Sequence, residues 1–270
     1  MPMRTRRIHE RRARVMMAKP PTITAIVVTH DRPALLADAL ASIEAQRVAP
    51  LEVRIADDGD VPATDVVEGA SLLEVTLIPV DVRRAGAARN RAAAAARGDV
   101  LAFLDDDDRW RPEHLQGLRE AFTDPECGMA YRDAAVIRER VEPDGRRVDL
   151  ETRTIAREWD PEVMRRDDFV PPSALAVRRS WFEKLGGFDE SFGFSEDWDF
   201  LLRAAQVTTP RRVPGETVEV RMREHGNSSA EFGPERLACL LRLAERHHLP
   251  ALEPRTFWEV AAIAGSAAPA

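Results

Sequence analysis

Four short apolar runs, residues 22–29, 51–56, 72–80 and 100–104, recur through the N-terminal part of the chain, with helical patterns over residues 33–46 and 86–97 set between them. Strands that alternate with helices imply a mostly parallel, doubly wound α/β sheet. The first run, TITAIVVT, is β-branched and apolar; Asp31 is then placed to cap the following helix, and Pro33 falls in its first turn. The stretch 86–97, GAARNRAAAAAR, is strongly helix-forming and stops at Gly98, where the fourth strand begins.

Two of these strands run directly into acids. Residues 51–56 lead to Asp57-Asp58-Gly59-Asp60, and residues 100–104 lead to four consecutive aspartates, Asp105 to Asp108. Right-handed crossovers place such ends on one edge of a parallel sheet, so both clusters, with Thr29, His30 and Asp31 after the first strand, face one crevice. Four adjacent carboxylates repel and raise one another's pKa, a cost that a divalent cation or a set of donors relieves. Mg²⁺ and Mn²⁺ take oxygen ligands, commonly one or two carboxylates together with substrate phosphates. Within Asp105-Asp106-Asp107 the outer pair can reach a ribose hydroxyl and a diphosphate-bound metal, while Asp106 and Asp108 face elsewhere or shape the turn. Taken alone, the run also reads as a solvated acidic loop.

The second half is less regular and reads as a smaller α+β portion. A helix is expected over 112–122, a hairpin of strands 128–141 and 147–155 about the turn 143–146, and a short strand over 173–177. A helical turn at 181–185 precedes the tight loop 186–190. Glu196-Asp197 then opens an amphipathic helix over 198–206, with its acids at the positive end of the dipole. A strand over 212–222, a loop containing His225 and a last helix over 234–248 complete the order. The organisation expected is a basic arm over 1–21, one domain over 22–232 with halves 22–111 and 112–232, and a helical extension over 233–270.

Composition removes several classes. A net charge of −7 argues against a nucleic-acid binder, and 44% hydrophobic residues suffice for a core. No apolar stretch approaches the roughly 20 residues that span a bilayer, and the N-terminus lacks the apolar core of a signal peptide. Cys127 and Cys239 match neither a metal motif nor a disulfide framework, so a reducing, cytoplasmic setting is the simplest expectation. The arm, with Arg4, Arg6, Arg7, Arg11, Arg12 and Arg14, reads as a disordered tail or as an extension ahead of a start at Met16 or Met17. Its functional alternative is a peripheral tether to an anionic membrane surface, such as the inner face of the cytoplasmic membrane.

The ordered motifs Val27-Val28-Thr29-His30-Asp31-Arg32-Pro33, Ile55-Ala56-Asp57-Asp58-Gly59-Asp60, Gly86-Ala87-Ala88-Arg89-Asn90, Phe103-Leu104-Asp105-Asp106-Asp107-Asp108, Gly186-Gly187-Phe188-Asp189-Glu190 and Glu196-Asp197-Trp198-Asp199 resemble family 2 glycosyltransferases of the GT-A fold. The resemblance spans residues 22 to about 230. It implies a nucleotide-diphospho-sugar donor, Mn²⁺ or Mg²⁺, and transfer of one sugar with inversion. Carried over residue by residue, it places Thr29, Asp57, Asp58, Arg89, Asn90, Asp105 and Asp106 on the donor side and Asp107 at the metal. His225 either completes the metal sphere or contacts the diphosphate. Asp197 corresponds to the general base that takes the acceptor proton while the departing diphosphate is stabilised. Glu196 and Trp198 fall on the acceptor side.

His30 departs from the Tyr-Asn more common in that family, which puts base stacking in doubt. The processive signature QxxRW is absent, which points to single-sugar transfer onto a saccharide, lipid-linked or small-molecule acceptor. Each residue has a plainer reading. Asp57 or Asp58 can be a helix cap, Arg89 a surface ion pair, Glu196-Asp197 a pair favoured by the helix dipole, and His225 a solvent-facing loop residue. Trp110, Trp159, Trp181, Trp198 and Trp258 suit sugar binding but also suit a core. His114, His247 and His248 look like helix-surface residues, and Ser173 suggests nothing specific. Rival functions are a sugar-phosphate nucleotidylyltransferase, which would need a glycine-rich loop after strand one, and a non-catalytic nucleotide-sugar binder. The missing glycines also disfavour a dinucleotide dehydrogenase, and a phosphoacceptor receiver domain would leave Glu196-Asp197 unexplained.

Overall fold

A computed structural model describes residues 19–70, 74–142, 146–223 and 233–265. The first half is the expected alternation: β1 (Ile23–Thr29), α1 (Pro33–Glu44), β2 (Glu52–Asp57), α2 (Thr64–Gly69), β3 (Val75–Pro79), α3 (Ala85–Ala94) and β4 (Val100–Asp105). These four strands are parallel, in the order β3-β2-β1-β4. Their register sets Thr29 beside Asp57 and Val28 beside Asp105, so the strand ends reach one edge together. Side chains along β1 alternate as the pleat requires: Ile26 enters the core under α3, whereas Ala25 and Val27 enter the core under α1. On α3, Ala88, Ala92 and Ala93 are buried, and their small side chains let the helix lie close on the sheet.

Beyond β4 the sheet continues with strands of mixed direction. β5 (Arg109–Trp110) and α4 (His114–Ala121) come first, followed by the hairpin of β6 (Met129–Val141) and β7 (Arg147–Ile155). α5 (Pro161–Met164), β8 (Leu175–Arg178), α6 (Arg179–Lys184), α7 (Glu196–Ala205) and β9 (Arg211–Arg223) follow, and the extension carries α8 (Pro234–His247) and α9 (Phe257–Gly265). β8 lies antiparallel to both β4 and β6, and β9 joins β6 in parallel. Phe103, Phe182, Phe188 and Phe200 form an aromatic core, with Phe188 centred 5.3 Å from Phe103 and 5.0 Å from Phe200. Among the described residues no helix is long and apolar enough to cross a membrane.

Several local expectations change. Asp31 does not cap α1: its φ of 51° turns it away, Arg32 is the capping residue, and Asp31 Oδ1 accepts from Val61 N at 3.0 Å. Ser173 lies in a 3₁₀ turn, Pro172–Ala174, and not in the strand. His114 is fully buried, stacked on Trp110 at 4.5 Å and 3.0 Å from Thr217 Oγ1; burial drives its pKa well down and keeps the ring neutral. His247 is inward too, 2.8 Å from Asp199 Oδ1. A residue's place on a helix face is set by what packs there, and in these two cases a neighbouring element covers the imidazole.

Candidate active site

At the end of β4 the four aspartates separate by burial. Asp106 and Asp108 are 1% and 5% exposed, whereas the side chains of Asp105 and Asp107 keep 26% and 15%. Asp106 Oδ2 accepts from Thr29 Oγ1 at 2.7 Å, and its Oδ1 lies 3.1 Å from the Arg32 guanidinium. Asp108 is held by Ser173 Oγ at 2.6 Å and by Arg221 N at 2.9 Å; the same Ser173 oxygen accepts from Asp105 N at 3.1 Å. Asp107 Oδ2 accepts from Arg32 at 3.1 Å and from Arg223 at 2.7 Å. Burial pushes the Asp106 carboxyl up to about 7 and carries Asp108 well above its ordinary value, with the neighbouring aspartates adding to both.

The second acidic group opens α7. Ser195 caps that helix with φ 63°, in the left-handed region, immediately before Glu196 and Asp197. Glu196 packs against the first turn of α3, where a Cβ on Gly86 would stand 2.7 Å from Glu196 Cγ; only glycine fits that approach. Arg89, on α3, donates to Glu196 Oε1 and to Asp105 Oδ1, each at 2.6 Å. Burial and the adjacent Asp197 nevertheless push the Glu196 carboxyl up to about 7, and burial raises Asp197 despite the pull of Arg89. Asp168, on the loop before β8, is carried well above its ordinary value by burial and by Asp197. Physically, several enclosed carboxyls share the charge of the buried Arg89, so the cluster holds protons that isolated acids would release near neutral pH.

Both acidic groups line one cavity of about 750 Å³. Thr29, His30, Asp58, Arg89, Asp105 to Asp108, Glu196, Asp197 and Trp198 reach its wall; Asp57 and Asn90 do not. Asp57 spends its oxygens on the loop after β2, accepting from Gly59 N at 3.3 Å and Ala63 N at 2.8 Å. Asn90 clamps the 186–190 loop through both its amide atoms, donating to Phe188 O at 2.8 Å and accepting from Phe188 N at 3.0 Å. The Thr29 hydroxyl is committed to Asp106, and the Trp198 indole N–H donates to Met164 O at 2.7 Å. His225 lies outside the described residues. The far wall comes from the C-terminal helices and their connection, through Arg236, Leu240, Arg255 and Phe257.

The family model described as "Glycosyl transferase family 2" matches residues 24–186, which carry β1 to β4 and their acidic ends. The chain belongs to glycosyl transferase family 2. This family 2 transferase is 31% identical over 238 residues to the uncharacterized glycosyltransferase YwdF of Bacillus subtilis, covering 87% of each chain. It is 28% identical to the O-antigen biosynthesis protein RfbC of Myxococcus xanthus, over 72% of this chain but 15% of that one. Among solved structures, S. aureus TarS 1-349 in complex with UDP-GlcNAc shares the fold with a TM-score of 0.62 at 18% identity, over 90% of this chain and 71% of that one. The transferase spans 42% of the longer TarS chain. Three residues of its cavity region have no role assigned from sequence: Ser173 and Asp168 belong to no motif, and Arg32 lies within the motif Val27 to Pro33 without a function of its own.

Proposed function

We propose that this transferase moves one sugar from a nucleotide-diphospho-sugar to an acceptor hydroxyl with inversion, using Asp197 as general base. The observation that carries the reading is the convergence of Asp105 and Asp107, from the end of β4, with Glu196 and Asp197, from the start of α7, on one cavity. UDP-GlcNAc in the TarS complex supports the donor class. Asp58, on the wall, suits the base contact better than Asp57, whose oxygens are occupied. Asp105 suits the ribose or phosphate contact, and Glu196, Asp168 and Trp198 border the acceptor space.

The donor set fits a divalent cation held by Asp107 and substrate phosphates, not by a protein cage. Asp107 is partly open to the cavity, and no group of three or more His, Cys, Asp or Glu among the described residues forms a complete site. A cation bound there would neutralise charge on the departing diphosphate. In this structure Arg32 and Arg223 balance Asp107. Asp197 removes the acceptor proton as the new bond forms.

Asp197→Asn should lower kcat by roughly 10²–10⁴-fold while donor-induced thermal stabilisation persists; wild-type turnover by that variant would remove Asp197 from the role. EDTA should abolish transfer and Mn²⁺ restore it, and Asp107→Ala should lose the Mn²⁺-dependent part of donor affinity. Equal donor affinity with and without Mn²⁺ in the wild-type chain would refute the metal assignment.

A further inference from the structure

Arg89 occupies the place where the family resemblance expects a donor contact, yet both of its terminal nitrogens are engaged by carboxylates of the protein itself. Its side chain is 4% exposed, and its two terminal nitrogens bond Asp105 and Glu196 at 2.6 Å each. Its carbon end lies 5.7 Å from the Phe188 ring centre. The helix that carries it packs on β1 and β2, and Arg89 is among its buried residues. We infer that Arg89 is a positioning residue that ties Glu196 to the end of β4 and so fixes Asp197 over the donor, and that it is not a ligand of the nucleotide. The inference rests on Asp197 being the base.

Charge supports the same assignment. Asp197 is faced by Glu196 on its own helix, Asp168 from the loop before β8, Asp105 from β4, Arg89 from α3 and Arg236 from α8. Three of these five neighbours are acids. Removing Arg89 would leave Asp197 harder to ionise, besides releasing Glu196 from its anchor.

The test uses the full chain and the nucleotide sugar it turns over, chosen from UDP-GlcNAc, UDP-glucose, GDP-mannose and dTDP-rhamnose with Mn²⁺. Arg89→Met should change donor Kd by less than about threefold and lower kcat by about 100-fold, the scale of a misplaced catalytic group. The acid limb of its kcat/KM profile should move up by about 1–3 pH units. Arg89→Lys should recover part of kcat. The double variant Arg89→Met, Glu196→Gln removes the more buried of the two charges that Arg89→Met leaves unpaired. Its kcat should match that of the worse single variant, because both substitutions cut one link. A tenfold rise in donor Kd with kcat unchanged, or a double variant whose losses multiply, would overturn the assignment. Asp197→Asn separates the two levels: if it is inactive while Arg89→Met only weakens donor binding, the Arg89 inference alone fails; full activity of Asp197→Asn removes both.

Discussion

At the scale of single residues, the acids are governed by a few hydroxyls and guanidinium groups that neutralise or bind them. Ser173 both donates to Asp108 and accepts from the Asp105 N–H, so it ties two members of the quartet to the turn before β8. Ser173→Ala strips a partner from each and should cost about 1–3 kcal/mol in urea unfolding; an unchanged midpoint would show that water replaces the hydroxyl. Glu196 makes a prediction about pH. Its ordinary value of 4.5 rises to about 7 in the fold, so between these values the native chain holds a proton that the unfolded chain releases. The stability contributed by this group is greatest below pH 4.5 and falls as pH rises towards 7. Glu196→Gln should flatten that decline, and superimposable pH–stability curves for the two proteins would contradict it. The aspartate run and Glu196-Asp197 were legible as sites of chemistry because like charges packed together are costly. Their partners were not: Arg32, Arg223 and Ser173 are ordinary residues until folding brings them near, and Arg89 reads from sequence as a donor contact and not as a partner of the acids.

At the scale of elements, α3 does more than cover the sheet. Its alanines set how closely the helix lies on the strands, Gly86 admits Glu196, Arg89 supplies the buried charge, and Asn90 clamps the 186–190 loop. In that loop Gly187 holds φ 67°, a conformation that L side chains rarely adopt, while a Cβ there would meet Asn90 Oδ1 at 2.5 Å. Gly86→Ala should push Glu196 aside, costing about 1–3 kcal/mol of stability and lowering kcat while donor affinity stays close to wild type; wild-type kinetics would show that α3 can retreat without moving α7. The motif Gly86 to Asn90 was readable as a unit, and its helix was readable from composition. Which of its residues face the donor was not, since that depends on where α7 and the 186–190 loop pack against the helix.

At the scale of the molecule, the cavity is closed by a part of the chain outside the family match. Asp199, fully buried, accepts from Arg203 Nε at 2.8 Å, pairs with Arg246 at 3.3 Å and lies 2.8 Å from His247 Nε2. It thereby fastens α8 to the helix that begins with Glu196-Asp197. Asp199→Ala would remove the acceptor shared by Arg203, Arg246 and His247 and should cost about 1–3 kcal/mol, with proteolysis first appearing between 234 and 265; cleavage starting elsewhere would show that this segment is held by its apolar face alone. The sequence by itself determined the alternation of strands and helices, the mostly parallel character of the sheet, and the edge on which the acids collect. Those follow from side-chain periodicity and crossover handedness, which act over a few residues at a time. The tertiary structure alone decided that Asp58 and not Asp57 reaches the cavity, that Arg89 is enclosed between Asp105 and Glu196, and that the C-terminal helices complete the wall. Such contacts join residues about a hundred positions apart, as Arg89 is from Glu196, and nothing in the local chemistry of either partner specifies the other until the core has packed.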